Sequence, residues 1–192
     1  MNYTKTLKAF DQEISKYVRQ IQDELNSITF NSEESITFVN QSDFDGKEIF
    51  NATNQKGLYL FELNLDSVKL KNANNSDKIE NFANNWSTEK LSPFYASKIV
   101  DIRMKKQLSC PPDQWLPVYI GKSEDLDKRI KEHINKPPAS KTYAMKLNHR
   151  ISMHGLEFRV TKIVLNIDNY DFIVPYLERV LRDKYLPIVG KQ

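Results

Sequence analysis

Two apolar segments, residues 56–63 and 116–121, restrict the possible folds of this chain more than any other feature of its sequence. They read KGLYLFEL and LPVYIG, and short apolar runs of this kind are typical of buried β-strands. Each run holds a tyrosine two positions from one of the chain's five glycines, as Gly57 and Tyr59, and as Tyr119 and Gly121. Glycine in a strand allows close approach of backbone or substrate, and tyrosine carries a polar hydroxyl on an apolar ring. Either motif alone is also typical of a core tyrosine with a satisfied hydroxyl.

The remaining periodicities predict a mixed α+β chain. From Thr4 to about Ser27 apolar residues recur every three or four positions, which predicts an amphipathic helix. Its stripe, Leu7 to Leu25, either packs on its own domain or offers a self-complementary surface to a second copy. Alternation at Ile36 and Phe38 predicts a short strand. Further predicted elements are helices near 76–86, 95–107, 125–135 and 140–151, a strand at 157–165, and a last helix from Ile173 with Pro175 in its first turn.

This pattern divides the chain into two parts. We expect an N-terminal extension at residues 1–50 and a domain at residues 51–192 with an insertion at 64–115. Hydrophobic residues make up 40% of the chain, enough for a packed core. No segment approaches the apolar length of a membrane span, the first residues do not resemble a secretory signal, and Cys110 is the single cysteine. We therefore expect a cytoplasmic protein without a disulfide or a membrane partner.

The positive charge is concentrated in the last two-fifths of the chain. Residues 116–192 hold 14 Lys and Arg against 9 Asp and Glu, whereas residues 1–115 hold 14 against 16. A clustered positive field attracts polyanions, of which phosphate backbones are the commonest. A solvated basic face is the equally good alternative on charge alone.

Three further polar residues stand in register with the two tyrosines. Arg129 lies ten residues after Tyr119, and His133 lies four after Arg129, so a helix places both side chains on one face. Glu178 lies between apolar residues of the last predicted helix, which would hold it at the edge of a buried stripe.

With these residues, the segment 57–192 resembles the GIY-YIG nuclease superfamily. Tyr59 and Tyr119 match the tyrosines of its two motifs, and Arg129, His133 and Glu178 match the arginine, histidine and glutamate of its active site. The resemblance implies a small three-stranded antiparallel sheet flanked by helices, here with an N-terminal helical extension and a helical insertion. It also implies an endonuclease that hydrolyses phosphodiester bonds of double-stranded DNA with Mg²⁺, for which Mn²⁺ is a possible substitute.

The resemblance and the chemistry of phosphodiester hydrolysis suggest a role for each residue. Glu178 is the expected metal ligand, because Mg²⁺ keeps several waters and needs few protein oxygens. Arg129 would neutralise the phosphate, and Tyr59 would act as general base with a pKa lowered by nearby cations. Tyr119 would position the water or phosphate, and His133 would shuttle a proton or bond the phosphate. In part of the family a lysine after the second motif assists the base, and Lys122 stands there.

The chain departs from the family pattern in two places. Tyr59 and Tyr119 are 60 positions apart, whereas the family's motif strands are normally joined by a short turn. The long insertion resembles those of restriction enzymes in this superfamily, so a sequence-specific restriction or defence nuclease is expected. Secondly, Gly190 stands where many members carry an asparagine, whose role would be lost or supplied elsewhere, for example by Asn148.

Other functions and contacts remain open from the sequence. The alternatives are a non-catalytic nucleic-acid-binding module that retains the fold, or a repair or mobile-element nuclease. A double-strand cut needs two active sites or two visits, so we expect a homodimer, at least on DNA. The basic residues Lys141, Lys146 and Arg150 could contact phosphates. Amide and basic side chains of the insertion could read base edges: Asn72, Asn74, Asn75, Asn81, Asn84, Asn85, Lys98, Arg103, Lys105 and Lys106.

Overall fold

A computed structural model describes residues 3–24, 27–89, 91 and 96–190, and its chain divides into two compact units, residues 1–30 and 31–192. The first unit contains helix α1 (Tyr3–Glu24), which confirms the predicted amphipathic helix. Leu25, the last residue of the predicted stripe, lies outside the described residues. Among the described residues, no helix combines the length and apolar character needed to cross a membrane.

The second unit is a mixed α+β structure. Its strands and helices follow in this order: β1 (Ile36–Val39), β2 (Gly57–Asn64), α2 (Asn75–Thr88), β3 (Lys98–Ile99), α3 (Asp101–Ser109), β4 (Trp115–Ser123), α4 (Leu126–Asn135), β5 (Glu157–Val164), α5 (Tyr170–Tyr185) and β6 (Val189–Gly190). The two apolar segments of the sequence are β2 and β4, and the strand predicted at 157–165 is β5. All eight residues of β2 are buried, as expected for a strand covered on both faces.

The main sheet has four strands in the order β1-β5-β2-β4, and all its pairs are antiparallel. The expectation of three strands was wrong because β1, assigned from sequence to the N-terminal extension, pairs with β5. Phe38 lies opposite Phe158 in that pair, and their rings stack with centroids 6.0 Å apart. Burial of this aromatic pair stabilises the pairing of β1 with β5.

The insertion consists of α2, β3 and α3, and it is tied to the end of the chain. α2 begins with a capping box, in which Asn74 and Asp77 bond each other's backbone, and α2 packs on α3 and β3. β3 pairs with β6 in a second, two-stranded sheet, with Lys98 opposite Gly190. The helix predicted near 95–107 therefore begins later than expected, at Asp101.

The helix predicted over 140–151 is wrong. That segment holds two single 3-10 turns, Leu147–His149 and Ile151–Met153. Lys146 interrupts it with a left-handed backbone at φ 58°, and its buried ammonium donates to the carbonyls of Pro138 at 2.9 Å and Ser140 at 3.1 Å. These carbonyl contacts hold the chain in a compact loop, which overrides the helical spacing of the apolar residues.

Helices α4 and α5 both pack on the strands β2 and β4. α4 begins at the N-cap Asp125, whose side chain accepts from the Lys128 amide, and it buries the predicted stripe of Leu126, Ile130 and Ile134. α5 begins at Tyr170, so Pro175 lies inside the helix and not in its first turn as expected. Pro175 has no amide hydrogen for the carbonyl four residues earlier. The two helices bring Arg129, His133 and Glu178 to the sheet.

Candidate active site

Tyr59 and Tyr119 lie on one face of the main sheet. Tyr59 is opposite Gly121 across the β2–β4 pair, and Tyr119 is opposite Phe61, so strand alternation directs both tyrosines to the same side. Their rings are stacked, with centroids 6.1 Å apart and an interplanar angle of 21°. Tyr59 is 1% exposed and Tyr119 is 8% exposed, so their hydroxyls are held in a site largely protected from water.

Gly121 makes room for both tyrosine rings. A Cβ atom at this position would lie 2.3 Å from the Tyr59 hydroxyl oxygen and 2.9 Å from a ring carbon of Tyr119. Such distances are shorter than any ordinary contact, so a larger residue would displace the Tyr59 side chain. The glycine of the second sequence motif is therefore a requirement of the Tyr59 position.

His133 contacts Tyr59 from α4. The Tyr59 hydroxyl and His133 Nε2 are 2.8 Å apart, and the Met145 amide donates to His133 Nδ1 at 3.2 Å. Because Nδ1 accepts, the proton of the neutral ring lies on Nε2, and His133 donates to the Tyr59 oxygen. Burial, with the charge of Arg129, lowers the pKa of His133 well below 6.5, which keeps the ring neutral.

This arrangement bears on one of the two roles expected for His133, a direct bond to the phosphate. The imidazole has no exposed surface, and both of its nitrogens are engaged within the protein. It is therefore placed to orient Tyr59 and not to bond a phosphate directly.

We expect the buried neutral His133 to make the protein less stable in mild acid. The folded-state pKa of His133 is depressed, so the stability from this group is complete above 6.5 and is lost as pH falls toward the folded pKa. The loss is at most about 1.4 kcal/mol per pH unit. Urea unfolding at about pH 7.5 and pH 5.5 measures it.

The matched variants for this test are His133→Gln and His149→Gln. His149 is exposed, so His149→Gln should keep the wild-type pH dependence of the unfolding free energy. His133→Gln should have a flatter dependence, whatever its absolute stability. Equal dependence in wild type and His133→Gln would contradict the neutral buried state.

Arg129 lies beside both tyrosines. Burial raises the pKa of both tyrosines, and the charge of the Arg129 guanidinium acts in the opposite direction on each of them. Arg129 Nη1 donates to Glu132 at 2.7 Å, and Nη2 donates to the Tyr143 carbonyl. Its side chain is 21% exposed, so the guanidinium is fixed by protein contacts and still reaches the surface.

Glu178 brings a carboxylate to the same place from α5. Its charge raises the pKa of both Tyr59 and Tyr119, which places it within electrostatic reach of their hydroxyls. Its side chain is 12% exposed and accepts from Arg182 Nη2 at 2.5 Å, one helical turn away. Five residues from β2, β4, α4 and α5 therefore meet in one site.

The tyrosine pKa values differ from the expectation. Burial is the largest effect on both hydroxyls, and it raises the pKa of Tyr59 well above 10.0 and raises that of Tyr119. The opposing charge of Arg129 is not enough to reverse the effect of burial on Tyr59. The expected lowering of the Tyr59 pKa is therefore absent in the protein alone.

Lys122 lies away from the Tyr59 hydroxyl. It is opposite Leu58 and adjacent in sequence to Gly121, so its side chain leaves the other face of the sheet. Its ammonium is 5.9 Å from the ring centroid of Tyr170 on α5. The structure thus does not bring Lys122 to the group that it was expected to assist.

Some other residues singled out in the sequence have structural contacts. Lys146 and Arg150 are 0% and 1% exposed, and Arg150 donates to two backbone carbonyls and stacks on Trp86 at 3.8 Å. Neither is at a surface where it could contact phosphates as expected. Asn148 donates to the Phe44 carbonyl. Gly190 of β6 is opposite Lys98 of β3.

The base-reading residues expected in the insertion are partly engaged too. Asn75 donates to the carbonyls of Pro112 and Asp113, and Asn85 donates to Asn81. Asn74 caps α2. Lys105 and Lys106 of α3 are exposed, so both remain available to contact an outside partner.

The sequence interpretation missed Arg182 and the backbone of Met145. The spacing of Glu178 and Arg182, four residues apart on a helix, was a readable signal for an ion pair. The Met145 amide could not be identified, because its contact with His133 depends on the loop conformation.

No protein-family model, curated protein or solved structure matches the chain.

Proposed function

We propose that this chain is a Mg²⁺-dependent endonuclease of the GIY-YIG type that hydrolyses phosphodiester bonds of double-stranded DNA. The observation that carries the proposal is the convergence of Tyr59, Tyr119, Arg129 and His133 at one face of the sheet, with the charge of Glu178 acting on both tyrosine hydroxyls. A guanidinium, a carboxylate and a hydroxyl with a fixed donor are the groups that phosphodiester hydrolysis requires.

The residues present fit a Mg²⁺ ion. Glu178 brings a carboxylate to the site, and among the described residues no group of three or more His, Cys, Asp or Glu side chains is placed to hold a metal ion. Mg²⁺ is commonly held by one or two carboxylates together with waters and substrate phosphate oxygens. Bound there, it supplies positive charge that neutralises the phosphate during the reaction.

Tyr59 is the proposed general base, and His133 and Arg129 prepare it. His133 Nε2–H donates to the Tyr59 oxygen, and the charge of Arg129 acts to lower the Tyr59 pKa against the larger effect of burial, so both residues favour the deprotonated form. Burial keeps the hydroxyl protonated in the protein alone. In the DNA complex additional positive charge would lower the pKa of Tyr59, and the hydroxyl would release its proton to solvent. The tyrosinate then takes the proton of the attacking water as the water oxygen bonds phosphorus and the P–O ester bond breaks, and the leaving oxygen takes a proton from solvent.

Arg129 neutralises charge that develops on the phosphate. Its guanidinium stays charged at all accessible pH values and can fork across two phosphate oxygens. The Glu132 and Tyr143 contacts fix its position before substrate binds, which limits the reorganisation needed in the reaction. Tyr119, stacked on Tyr59 and slightly exposed, is placed to position the water or phosphate.

The direct test is incubation of the protein with plasmid DNA and Mg²⁺, with EDTA in a parallel reaction. We expect cleavage with Mg²⁺ or Mn²⁺ and none with EDTA, and mapping of the ends then tests for a defined sequence, as a restriction or defence enzyme would leave. DNA binding without any cleavage in either metal would support the non-catalytic alternative and refute the nuclease.

A double-strand cut leads to a prediction about helix α1. Tyr3, Leu7, Phe10 and Tyr17 recur at heptad spacing on α1 and are between 58% and 72% exposed. We propose that a second copy covers this face, since isologous pairing places two active sites on one duplex. Light scattering of the DNA complex should give two protomers per duplex.

The variant Leu7→Glu/Phe10→Glu places two charges in this apolar face. We expect it to be monomeric and to convert double-strand cuts into nicks, while the rate of the first cut changes little. Gln12→Glu/Gln20→Glu, which adds the same two charges at exposed positions on the other side of α1, is the matched control and should remain dimeric. Wild-type protein that binds as one protomer per duplex and only nicks would refute the dimer.

A further inference from the structure

Glu178 is held in an ion pair with Arg182. The two residues are one turn apart on α5, and Arg182 Nη2 donates to Glu178 Oε1 at 2.5 Å. Their side chains are 12% and 27% exposed, so the pair lies where solvent screens it only in part. A glutamate four residues before an arginine is the favourable order for such a pair on a helix.

The charge of Arg182 also acts on Tyr119 and on a second guanidinium, that of Arg103. Its charge lowers the pKa of Tyr119, after burial and Arg129 have had their larger effects. It also lowers the pKa of Arg103, after burial. Arg103 Nη1 donates to the Pro187 carbonyl at 3.3 Å, which fixes this second cation near the C-terminal end of α5.

With Arg103 nearby, the position of the Arg182 guanidinium depends on its attraction to the negative charge of Glu178. A divalent cation on the Glu178 carboxylate would compete with Arg182 for the same oxygens and would add positive charge beside it. Arg182, already near Arg103, would then be repelled from the carboxylate. In the proposed DNA complex, the anion nearest to the released Arg182 would be the phosphodiester beside Glu178 and Tyr119.

We propose that Arg182 is an internal counter-ion of Glu178, which orients the carboxylate in the metal-free protein and transfers to a non-bridging phosphate oxygen when a divalent cation binds. This role rests on the proposed nuclease function and assigns a residue outside the five that the sequence resemblance identified. It gives the site a positive charge in both states: in the metal-free protein the charge holds the Glu178 carboxylate in place, and in the complex it stabilises the phosphate during the reaction.

The proposal predicts opposite effects of Arg182→Gln on metal binding and on turnover. Without its competitor, Glu178 should bind Mg²⁺ about fivefold more tightly, the effect expected for loss of a partly exposed ion pair. The rate at saturating Mg²⁺ should nevertheless fall at least about tenfold, because the charge at the phosphate is lost. Arg182→Lys keeps the charge, so its Mg²⁺ affinity should stay near wild type and its rate should recover in part.

Arg179→Gln is the matched control for simple electrostatics. Arg179 is exposed on the same helix, next to Glu178 in sequence, and its guanidinium lies 5.2 Å from the Tyr176 ring centroid. The Arg179→Gln variant loses one positive charge, as Arg182→Gln does, but keeps the Glu178–Arg182 ion pair. Its Mg²⁺ affinity should change by less than about twofold, since exposed charges are well screened.

Nuclear magnetic resonance of the full ¹⁵N-labelled chain tests the exchange without DNA. Mg²⁺ is titrated into wild type, Arg182→Gln, Arg182→Lys, Arg179→Gln and Glu178→Gln, and affinity is read from the amide signals of α5. The side-chain Nε–H signal of Arg182 should shift on Mg²⁺ addition in wild type, which reports its release. Circular dichroism checks that each variant is folded, and cleavage rates at saturating Mg²⁺ are measured in parallel.

The outcomes separate this proposal from the proposed function. Arg182→Gln with unchanged or weaker Mg²⁺ affinity, or with the same affinity as Arg179→Gln, would overturn the counter-ion role while wild-type cleavage leaves the nuclease standing. If Arg182→Gln does not fold, an unmoved Arg182 Nε–H signal in wild type, or a Lys variant with altered affinity, overturns it equally. Wild type that shows neither Glu178-dependent Mg²⁺ binding nor cleavage overturns both proposals.

Discussion

Replacement of Glu178 by glutamine should abolish DNA cleavage while the protein remains folded. The change removes one negative charge and keeps the shape of a side chain that is 12% exposed. With the carboxylate gone, the proposed Mg²⁺ ligand is gone, and the rate should fall at least about a thousandfold, since metal and positioned charge supply most of the stabilisation in such reactions. DNA binding should change little, because phosphate contacts from basic residues dominate affinity.

The stability of Glu178→Gln should differ from wild type by no more than about 1 kcal/mol, the range for a partly exposed ion pair. Arg182 loses its charged partner in this variant but can still bond the amide oxygen. Asp183→Asn is the matched control, because it removes one negative charge from an exposed position of the same helix. Asp183→Asn should cleave at nearly the wild-type rate.

Cleavage and unfolding measurements together decide the assignment. Mg²⁺-dependent cutting by Glu178→Gln at more than a small fraction of the wild-type rate would show that the metal is held elsewhere. A variant that loses activity only because it no longer folds, seen as a large drop in the unfolding free energy, would instead identify Glu178 as a structural residue.

The sequence predicted elements well where local pattern and tertiary packing agree. β2, β4 and α4 lie within two or three residues of their predicted bounds, because apolar runs and the 125–135 stripe match what the core requires. The helix expected over 140–151 has an equally regular stripe, but Ile151 is 78% exposed and Lys146 adopts a left-handed backbone. Carbonyl contacts of the Lys146 ammonium decide that conformation, and no periodicity records them.

The pairing of β1 shows a second limit of sequence analysis. Alternation at Ile36 and Phe38 predicted a strand, which is confirmed. Its partner is β5, more than one hundred residues later in the chain, and nothing local specifies such a pairing. The choice depends on burial of Phe38 against Phe158 and neighbouring aromatic rings, which only the folded chain brings together.

Most residues of the candidate site could be predicted from the sequence, but its chemistry could not. Spacing and resemblance selected Tyr59, Arg129 and Glu178, and the fold brings them together. The direction of the Tyr59 pKa could not be predicted, because it depends on how deeply the sheet and α4 bury the hydroxyl. The tautomer of His133 could not be predicted either, because it is fixed by the backbone amide of Met145.

Removal of the Tyr59 hydroxyl should reduce cleavage at least about a hundredfold, the scale of a lost general base. Tyr59→Phe leaves the ring stacked on Tyr119 and edge-to-face with Phe61, so packing is retained. The variant loses one hydrogen bond with His133, and the free energy of unfolding should change by roughly 1 kcal/mol.

Tyr170→Phe is the matched control for this change. Tyr170 is also a buried tyrosine, and its hydroxyl donates to the Gly57 carbonyl at 3.1 Å, on the face of the sheet where Lys122 lies. Burial is the largest effect that raises the pKa of Tyr170 to about 12. Tyr170→Phe should cost a similar unfolding free energy and leave the cleavage rate within about a fewfold of wild type.

The pH dependence of cleavage distinguishes a base from a residue that only positions substrate. Burial holds Tyr59 protonated in the protein alone. In the DNA complex the fraction of active tyrosinate increases with pH, up to tenfold for each unit, as long as the pH is below the pKa of Tyr59 in that complex. The wild-type rate under single-turnover conditions should therefore increase with pH, and the residual rate of Tyr59→Phe should lose that increase. If Tyr59→Phe is slow but keeps the wild-type pH profile, Tyr59 positions the substrate and another group takes the proton; if it cleaves at nearly the normal rate, Tyr59 belongs only to the core.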